Sequence, residues 1–200
     1  MADVIHSNLT DPDLHEPKGV AAAAKGDVYV ADGAGSGNMY QLGSGWGYYK
    51  GDGAGQTIGT TATKMTCDGA GATSETGYLP LAIRGSSDLW NTSTNKITPI
   101  QVGDAYNLRL DLPITAKGGS PSILTMQLDI GGGASPSIVI VERDISVSKT
   151  APFNISVGFP IFCLTTFVTN GGQIFLKTDS GTVTVTKPAI YLALDHSGGM

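Results

Sequence analysis

The clearest pattern in this chain is an alternation of apolar and polar side chains that begins near residue 77 and continues almost to the C terminus. Residues 106–112 show it best, since apolar side chains occupy every second position and polar ones lie between them. Successive side chains of a β-strand point to opposite faces, so this segment is predicted to bury one face in a core. Arg109 and Asp111 are expected on the outer face.

Seven further segments carry β-branched residues or alternation, and turns rich in glycine, serine and proline separate them. They lie at residues 96–100, 123–130, 137–141, 153–158, 161–169, 173–178 and 182–195. The last is expected to bend or bulge at Lys187 and Pro188, because proline cannot donate a hydrogen bond to a ladder. Together these segments predict successive antiparallel strands.

No ten-residue window shows the period of 3.6 that an amphipathic helix requires. Without helices to cover them, the sheets must bury their faces against each other. The chain is therefore predicted to be all-β, an antiparallel β-sandwich or jelly roll, and parallel βαβ folds are excluded. Residues 161–167 are apolar on both faces, which exceeds the needs of one core and predicts a subunit interface.

A glycine-punctuated leader precedes this β-patterned block and ends near residue 76. Residues 28–37 are too rich in glycine to build a core of their own. The sequence therefore predicts two regions. Residues 1–76 are interpreted as an extended N-terminal arm with short hairpins that orders on a partner surface, and residues 77–200 as the β-sandwich.

The tetrapeptide Asp-Gly-Ala-Gly occurs three times in the leader, at residues 32–35, 52–55 and 68–71. Asp-Gly supplies the left-handed conformations of tight hairpin loops, so each copy is predicted to reverse a short strand. Calcium binding is the alternative, but each loop offers one carboxylate, and calcium takes six to eight oxygen ligands. The turn interpretation is preferred, and no metal or cofactor is expected.

Charge and hydropathy narrow the function further. The net charge is −5 and lysine and arginine do not cluster, so binding to nucleic acid is not expected. The longest apolar stretch, residues 159–164, is far shorter than a membrane-spanning helix, and no secretory signal is recognised at the N terminus. A soluble protein made in a reducing compartment is expected, with Cys67 and Cys163 as free thiols.

Signals for catalysis are weak. Residues 33–37 lack the Gly-Lys-Ser/Thr ending of a phosphate loop, and no Gly-x-Ser-x-Gly elbow occurs. All three histidines lie near the termini, which makes a Ser-His-Asp triad improbable. Asp11, Asp13 and His15 alternate as metal ligands could, although a solvated polar arm explains them more simply. No enzymatic activity is expected, and a glycan-degrading enzyme would need a carboxylate pair that the sequence does not single out.

Trp90 stands among small polar residues immediately before a predicted strand. A tryptophan in such a place could form a platform on which a sugar ring stacks. The preferred interpretation is that Trp90 closes one end of the sandwich.

Two groups of residues resemble a known class of proteins. Residues 11–20 and 28–35 resemble segments in structural proteins of tailed bacteriophages. Residues 89–97 and 103–109 are similar to the opening of trimeric jelly-roll domains in phage fibre and head-decoration proteins. These matches touch about a quarter of the chain, and neither is a catalytic signature.

The resemblance implies a virion structural protein, made in the bacterial cytoplasm, that forms a homotrimer through the jelly roll and binds a capsid or other virion protein through the arm. The expected role is capsid decoration or cement. The alternative is a tail-fibre or receptor-binding protein that recognises host glycan. The residues expected in the attachment arm are Leu14, His15, Glu16, Pro17, Lys18, Gly19, Val20 and Tyr29.

Overall fold

The computed structural model describes residues 27–31, 37–41, 44–80, 83–147 and 150–197. Its contacts divide the chain into two compact units, Met1–Leu42 and Gly43–Met200. Strands β1 (Asp27–Ala31) and β2 (Gly37–Gln41) form an antiparallel hairpin in the first unit, with Tyr29 opposite Met39. The turn predicted at the first Asp-Gly-Ala-Gly copy, residues 32–35, lies outside the described residues.

The second unit is built from two antiparallel sheets and a small two-stranded ladder. The four-stranded sheet has the order β10 (Val139–Ser146), β9 (Ile123–Asp129), β12 (Gln173–Thr178), β5 (Thr63–Lys64). The six-stranded sheet contains β3 (Gly45–Lys50), β4 (Gln56–Ile58), β8 (Ala105–Gly118), β11 (Phe153–Phe162), β13 (Thr182–Val185) and β14 (Ala189–His196). The ladder pairs β6 (Trp90–Asn91) with β7 (Lys96–Ile97). The predicted all-β, antiparallel sandwich is confirmed.

Strand β8 organises the six-stranded sheet. It pairs with β11 along one edge, and with β14 and then β13 along the other. Its alternation is the one that the sequence predicts, since Leu108, Leu110 and Leu112 are buried while Arg109 is exposed. Burial of each leucine stabilises the fold by about 1.5–3 kcal/mol, so the inner face of β8 is a major part of the core.

The bend predicted at Lys187 and Pro188 is a complete break between β13 and β14. Lys187 adopts a positive φ of 52°, which a regular strand does not allow. Both strands nevertheless pair with β8, so the chain leaves the ladder for a few residues and returns to the same neighbour.

Strand assignments between residues 153 and 169 differ from the prediction. Residues 153–158 and the start of 161–169 form one continuous strand, β11, which tolerates Pro160 because it is the outer strand of its sheet. After Phe162 the chain forms helix α1 (Thr165–Asn170) in place of the predicted strand. Six residues with one buried side chain, Phe167, are too few for a helical period to be visible in the sequence.

The predicted boundary of the arm at residue 76 lies too far along the chain. Strands β3, β4 and β5 pair with β14, β13 and β12, so residues 45–64 belong to the sandwich. Glycine here serves packing: a Cβ on Gly47 would lie 2.6 Å from the Oη atom of Tyr49, whose buried ring lies over that position. The described part of the predicted arm outside the sandwich is the β1–β2 hairpin.

Candidate interaction surfaces

Trp90 is fully buried, so its ring has no surface on which a sugar could stack. Its Nε1–H donates a hydrogen bond to the carbonyl oxygen of Cys67 at 2.9 Å. The interpretation of Trp90 as a packing residue agrees with this burial, and the stacking interpretation does not.

Of the residues expected in the attachment arm, Leu14 to Val20 lie outside the described residues, while Tyr29 lies in β1.

The surface near Trp90 contains an open cleft of about 510 Å³. Hydroxyl side chains and one carboxylate line much of it, among them Ser87, Asp88, Thr92 and Ser93. Behind it, the Tyr49 hydroxyl accepts the N–H of Leu89 at 3.0 Å. Burial, and then the charge of Asp88, raise the pKa of Tyr49, so this phenol stays protonated and serves as a structural group.

Both cysteines are free, as the sequence predicts, and both are buried. Burial raises the pKa of Cys67 to about 11 and that of Cys163 to about 12. The thiolate is the reactive form of cysteine, so neither side chain has the character of a nucleophile at neutral pH.

The second and third Asp-Gly-Ala-Gly loops meet in the structure. Asp68 Oδ1 accepts the backbone N–H groups of Asp52 at 2.9 Å and of Ala70 at 3.1 Å. These hydrogen bonds, with that from Asp52 the strongest, lower the pKa of Asp68. Asp52 in turn forms an ion pair with Lys187. The carboxylates therefore fix the turns, and among the described residues no three His, Cys, Asp or Glu side chains group to hold a metal.

A patch of exposed apolar side chains lies at one edge of the sandwich, and we call it the edge patch. Phe162 and Leu164 are each 69% exposed, and three residues around the start of β10 are also exposed. The members of the edge patch are Ile138, Val139, Ile140, Phe162 and Leu164. Because β10 and β11 are the outer strands of their respective sheets, the edge patch marks an open side of the sandwich.

A groove of about 280 Å³ runs between these two outer strands. Ile140 on one side and Phe162 on the other line it, together with the buried Ile161 and Phe167. The sequence predicted that residues 161–167 would be apolar on both faces. In the structure, the side chains of Ile161 and Phe167 are buried in the core, whereas those of Phe162 and Leu164 are exposed to solvent.

A second exposed surface, which we call the aromatic row, crosses the outer face of the six-stranded sheet. The rings of Tyr78 and Trp46 are stacked, with centroids 5.0 Å apart and planes 18° apart. Trp46 also contacts Tyr191, with centroids 5.7 Å apart. The guanidinium Cζ of Arg109 lies 5.5 Å from the centre of the Tyr191 ring, which completes a row of four side chains.

Polar side chains continue from the end of the aromatic row. Arg109 Nε donates to Asp111 Oδ2 at 3.2 Å, and the Ser156 hydroxyl donates to Asp111 Oδ1 at 2.6 Å. Asn107 donates to Asp195 on the same face. Sequence reasoning missed the aromatic row, because Trp46 and Tyr78 fell in or beside the predicted arm and meet Tyr191 only through the pairing of β3 with β14.

No protein-family model matches the chain, and no curated protein matches it. Several solved structures match the chain at low sequence identity. The Eiger TNF of S. frugiperda has 9% sequence identity and a TM-score of 0.41, over 79% of this chain and 96% of that chain. The PRD1 vertex protein P5 has 12% identity and a TM-score of 0.46, over 87% and 84% of the two chains.

A third match is the structure of infectious bursal disease virus, Gx strain, with 9% identity and a TM-score of 0.29 over 86% of this chain and 38% of that chain. At such identities and TM-scores these likenesses carry no conclusion about what the chain does.

Among the described residues, no helix has the length and apolar character needed to cross a membrane.

Proposed function

We propose that this chain is a non-enzymatic structural protein of a tailed-bacteriophage virion. Its specific role is that of a head decoration or cement protein, which binds the shell through the N-terminal unit and forms a homotrimer through the β-sandwich. The observation that carries the proposal is the edge patch, which contains the two most exposed large apolar side chains among the described residues.

Exposure of Phe162 and Leu164 is costly for a protein that remains a monomer. Burial of a phenylalanine or leucine side chain is worth about 1.5–3 kcal/mol, and contiguous apolar patches on soluble proteins mark interaction sites. The two most exposed members of the edge patch lie beside a groove with apolar walls. An assembly that buries this side of the sandwich recovers that free energy.

The division into two units gives the second support. A separate N-terminal unit, Met1–Leu42, precedes the sandwich and contains the hairpin with Tyr29. The phage-like residues Leu14 to Val20 belong to the same unit. Attachment is therefore assigned to Met1–Leu42, since the remainder of the predicted arm is part of the sandwich.

The mechanism is adhesion by several weak contacts. Three arms on one trimer act at a high effective concentration, so modest individual contacts add to a strong attachment. A trimer that binds only the closed arrangement of shell subunits stabilises that arrangement by mass action. Such a protein needs neither a catalytic group nor a cofactor.

Deletion of residues 1–42 tests this assignment. The truncated chain should remain folded and oligomeric, because β3 to β14 are retained, and should no longer bind particles that lack the protein. Binding is measured by co-sedimentation with those particles, and the full chain is the control. Full particle binding by the truncated chain would disprove attachment through the N-terminal unit.

The alternative is a tail-fibre or receptor-binding protein that recognises host glycan. That hypothesis assigned glycan contact to Trp90 or to exposed tyrosine side chains, and Trp90 is buried and cannot contact a ligand. The location of the chain within the particle distinguishes a head protein from a tail protein.

A further inference from the structure

We infer that the aromatic row binds a neutral saccharide chain. The site consists of Tyr78, Trp46 and Tyr191 with Arg109 at one end, on the outer face of the six-stranded sheet. This function goes beyond shell decoration, and it applies equally to a protein of the head or of the tail.

Backbone pairing holds the rings of the aromatic row in place before any ligand binds. Trp46 lies in β3, which pairs with β14, the strand of Tyr191. The backbone N–H of Trp46 donates to the carbonyl oxygen of Tyr78 at 2.8 Å, so the third ring is tied to the same strand. A site on rigid strands loses little conformational entropy on binding.

Packing of the core does not depend on the side chains of the aromatic row. Tyr78 is 57% exposed, and Trp46 and Tyr191 are half-buried on a face whose other members include Asn107 and Asp111. Aromatic side chains that remain in water on a polar sheet face offer apolar surface to a ligand. The aromatic row extends from Tyr78, beyond β3, across β14 to β8. Because neighbouring strands lie about 4.8 Å apart, the row is roughly 15 Å long, which is a usable length for a saccharide chain.

The polar groups beside the rings select the class of ligand. The charges of Arg109 and Asp111 pair at 3.2 Å, and Ser156 contributes a hydroxyl to the same carboxylate. A sugar ring offers C–H groups to an aromatic surface and hydroxyls, both donors and acceptors, to such side chains. Aromatic walls with a few placed polar groups are typical of ligand sites.

Other ligand classes fit this surface less well. A nucleic acid would require several clustered cations, whereas the charge of Arg109 is matched by that of Asp111. A large apolar protein partner would remove both of these charges from water, and the loss of their hydration opposes such binding. A neutral, hydroxyl-rich chain can leave them partly hydrated.

Tryptophan fluorescence measures saccharide binding directly. The chain has two tryptophans, and Trp90 is fully buried with its Nε1–H already bonded, so a ligand-induced change in emission is assigned to Trp46. The full chain is titrated with hexasaccharides of β-1,4-linked glucose, α-1,4-linked glucose and β-1,4-linked N-acetylglucosamine. We expect at least one of them to change the emission of Trp46 saturably, with a Kd of about 10 μM to 1 mM.

Variants connect this signal to the aromatic row. Tyr78→Ala should weaken binding at least about tenfold, equivalent to about 1.4 kcal/mol. Trp46→Phe should abolish the change in fluorescence while calorimetry still detects binding. Val102→Ser, at an exposed apolar side chain that belongs to neither the edge patch nor the aromatic row, is the matched control and should leave saccharide affinity unchanged. Circular dichroism establishes that each variant is folded.

Two results would overturn the inference. One is that none of the three hexasaccharides binds saturably. If a decaproline peptide binds in their place, the aromatic row is a protein-binding surface. The other is saccharide binding that Tyr78→Ala leaves unchanged. Neither result bears on attachment through residues 1–42, which the particle-binding experiment tests separately.

Discussion

The hydroxyl of Tyr106 donates a hydrogen bond of 2.7 Å to Asp104 Oδ2, and both residues are fully buried. The same hydroxyl accepts the backbone N–H of Ile100 at 3.0 Å, while the carboxylate accepts that of Gln101 at 3.0 Å. One phenol thus connects the start of β8 to the loop that precedes it.

Substitution Tyr106→Phe removes this connection without changing the shape of the ring. Because it takes a partner from a buried carboxylate and from a backbone N–H, we expect it to lower the free energy of unfolding by about 1.5–3 kcal/mol. Chemical denaturation measures the loss. Tyr78→Phe, at an exposed position, should change stability by less than about 0.5 kcal/mol. Equal effects of the two substitutions would contradict a structural role for the Tyr106 hydroxyl.

Stability should depend on pH through Asp179. The hydroxyl of Ser122, and then the N–H groups of Ser122 and Ile123, hydrogen-bond its carboxylate and lower its pKa from 3.8 to about 2. A depressed folded pKa favours the native state above the unfolded pKa, and this advantage is lost as the pH falls through the folded value. The difference in Tm between wild type and Asp179→Asn should therefore be positive at neutral pH and shrink between about pH 4 and about pH 2.

A control is Asp195→Asn, measured over the same range, since it removes a carboxylate from a different strand end. A difference between wild type and Asp179→Asn that stays constant down to pH 2 would show that the Asp179 charge contributes nothing to stability.

Thiol reactivity should report global unfolding. Burial raises the pKa values of Cys67 and Cys163 to about 11 and about 12, so almost no thiolate exists at pH 8. We expect a disulfide reagent such as Ellman's to label neither cysteine in the native protein, and to label two per chain in denaturant. Rapid labelling of native protein would mean that one of these sites opens without unfolding. Cys67→Ser and Cys163→Ser identify which one.

The edge patch should control self-association. Phe162→Ser combined with Leu164→Ser removes its two most exposed apolar side chains, so we expect sedimentation of a species with the 20.6 kDa mass of one chain. Wild type is expected to sediment as a trimer. Tyr78→Ser, another large exposed side chain, is the matched control and should leave the trimer intact. A wild-type monomer, or an unchanged trimer in the double variant, would contradict assembly through the edge patch.

The parts of the fold that sequence could predict are those that local pattern determines. Strand β8 carries strict alternation, and the bounds of β12 are the predicted ones, because one face of a strand must be buried. The break at Lys187 and Pro188 follows from the missing proline N–H. The apolar excess of residues 161–167 predicts a subunit interface; the structure shows Phe162 and Leu164 exposed, and the interface itself stays a prediction.

The rest depended on pairing between distant segments. Strand β3 looks like glycine-rich leader until it pairs with β14, more than one hundred residues later in the sequence. That pairing places Trp46 beside Tyr191, and no local pattern contains it. For Trp90 the sequence leaves two interpretations, closure of the sandwich and sugar stacking, and the burial of its Nε1–H and ring against Cys67 and the core agrees with the preferred one, closure.

Cryo-electron microscopy of the virion proposed to contain this chain tests the central claim most directly. We predict trimers on the outer surface of the shell, with Phe162 and Leu164 turned toward neighbouring copies and residues 1–42 against shell subunits. Absence of the chain from the particle, or density confined to the tail, would contradict a role in head decoration.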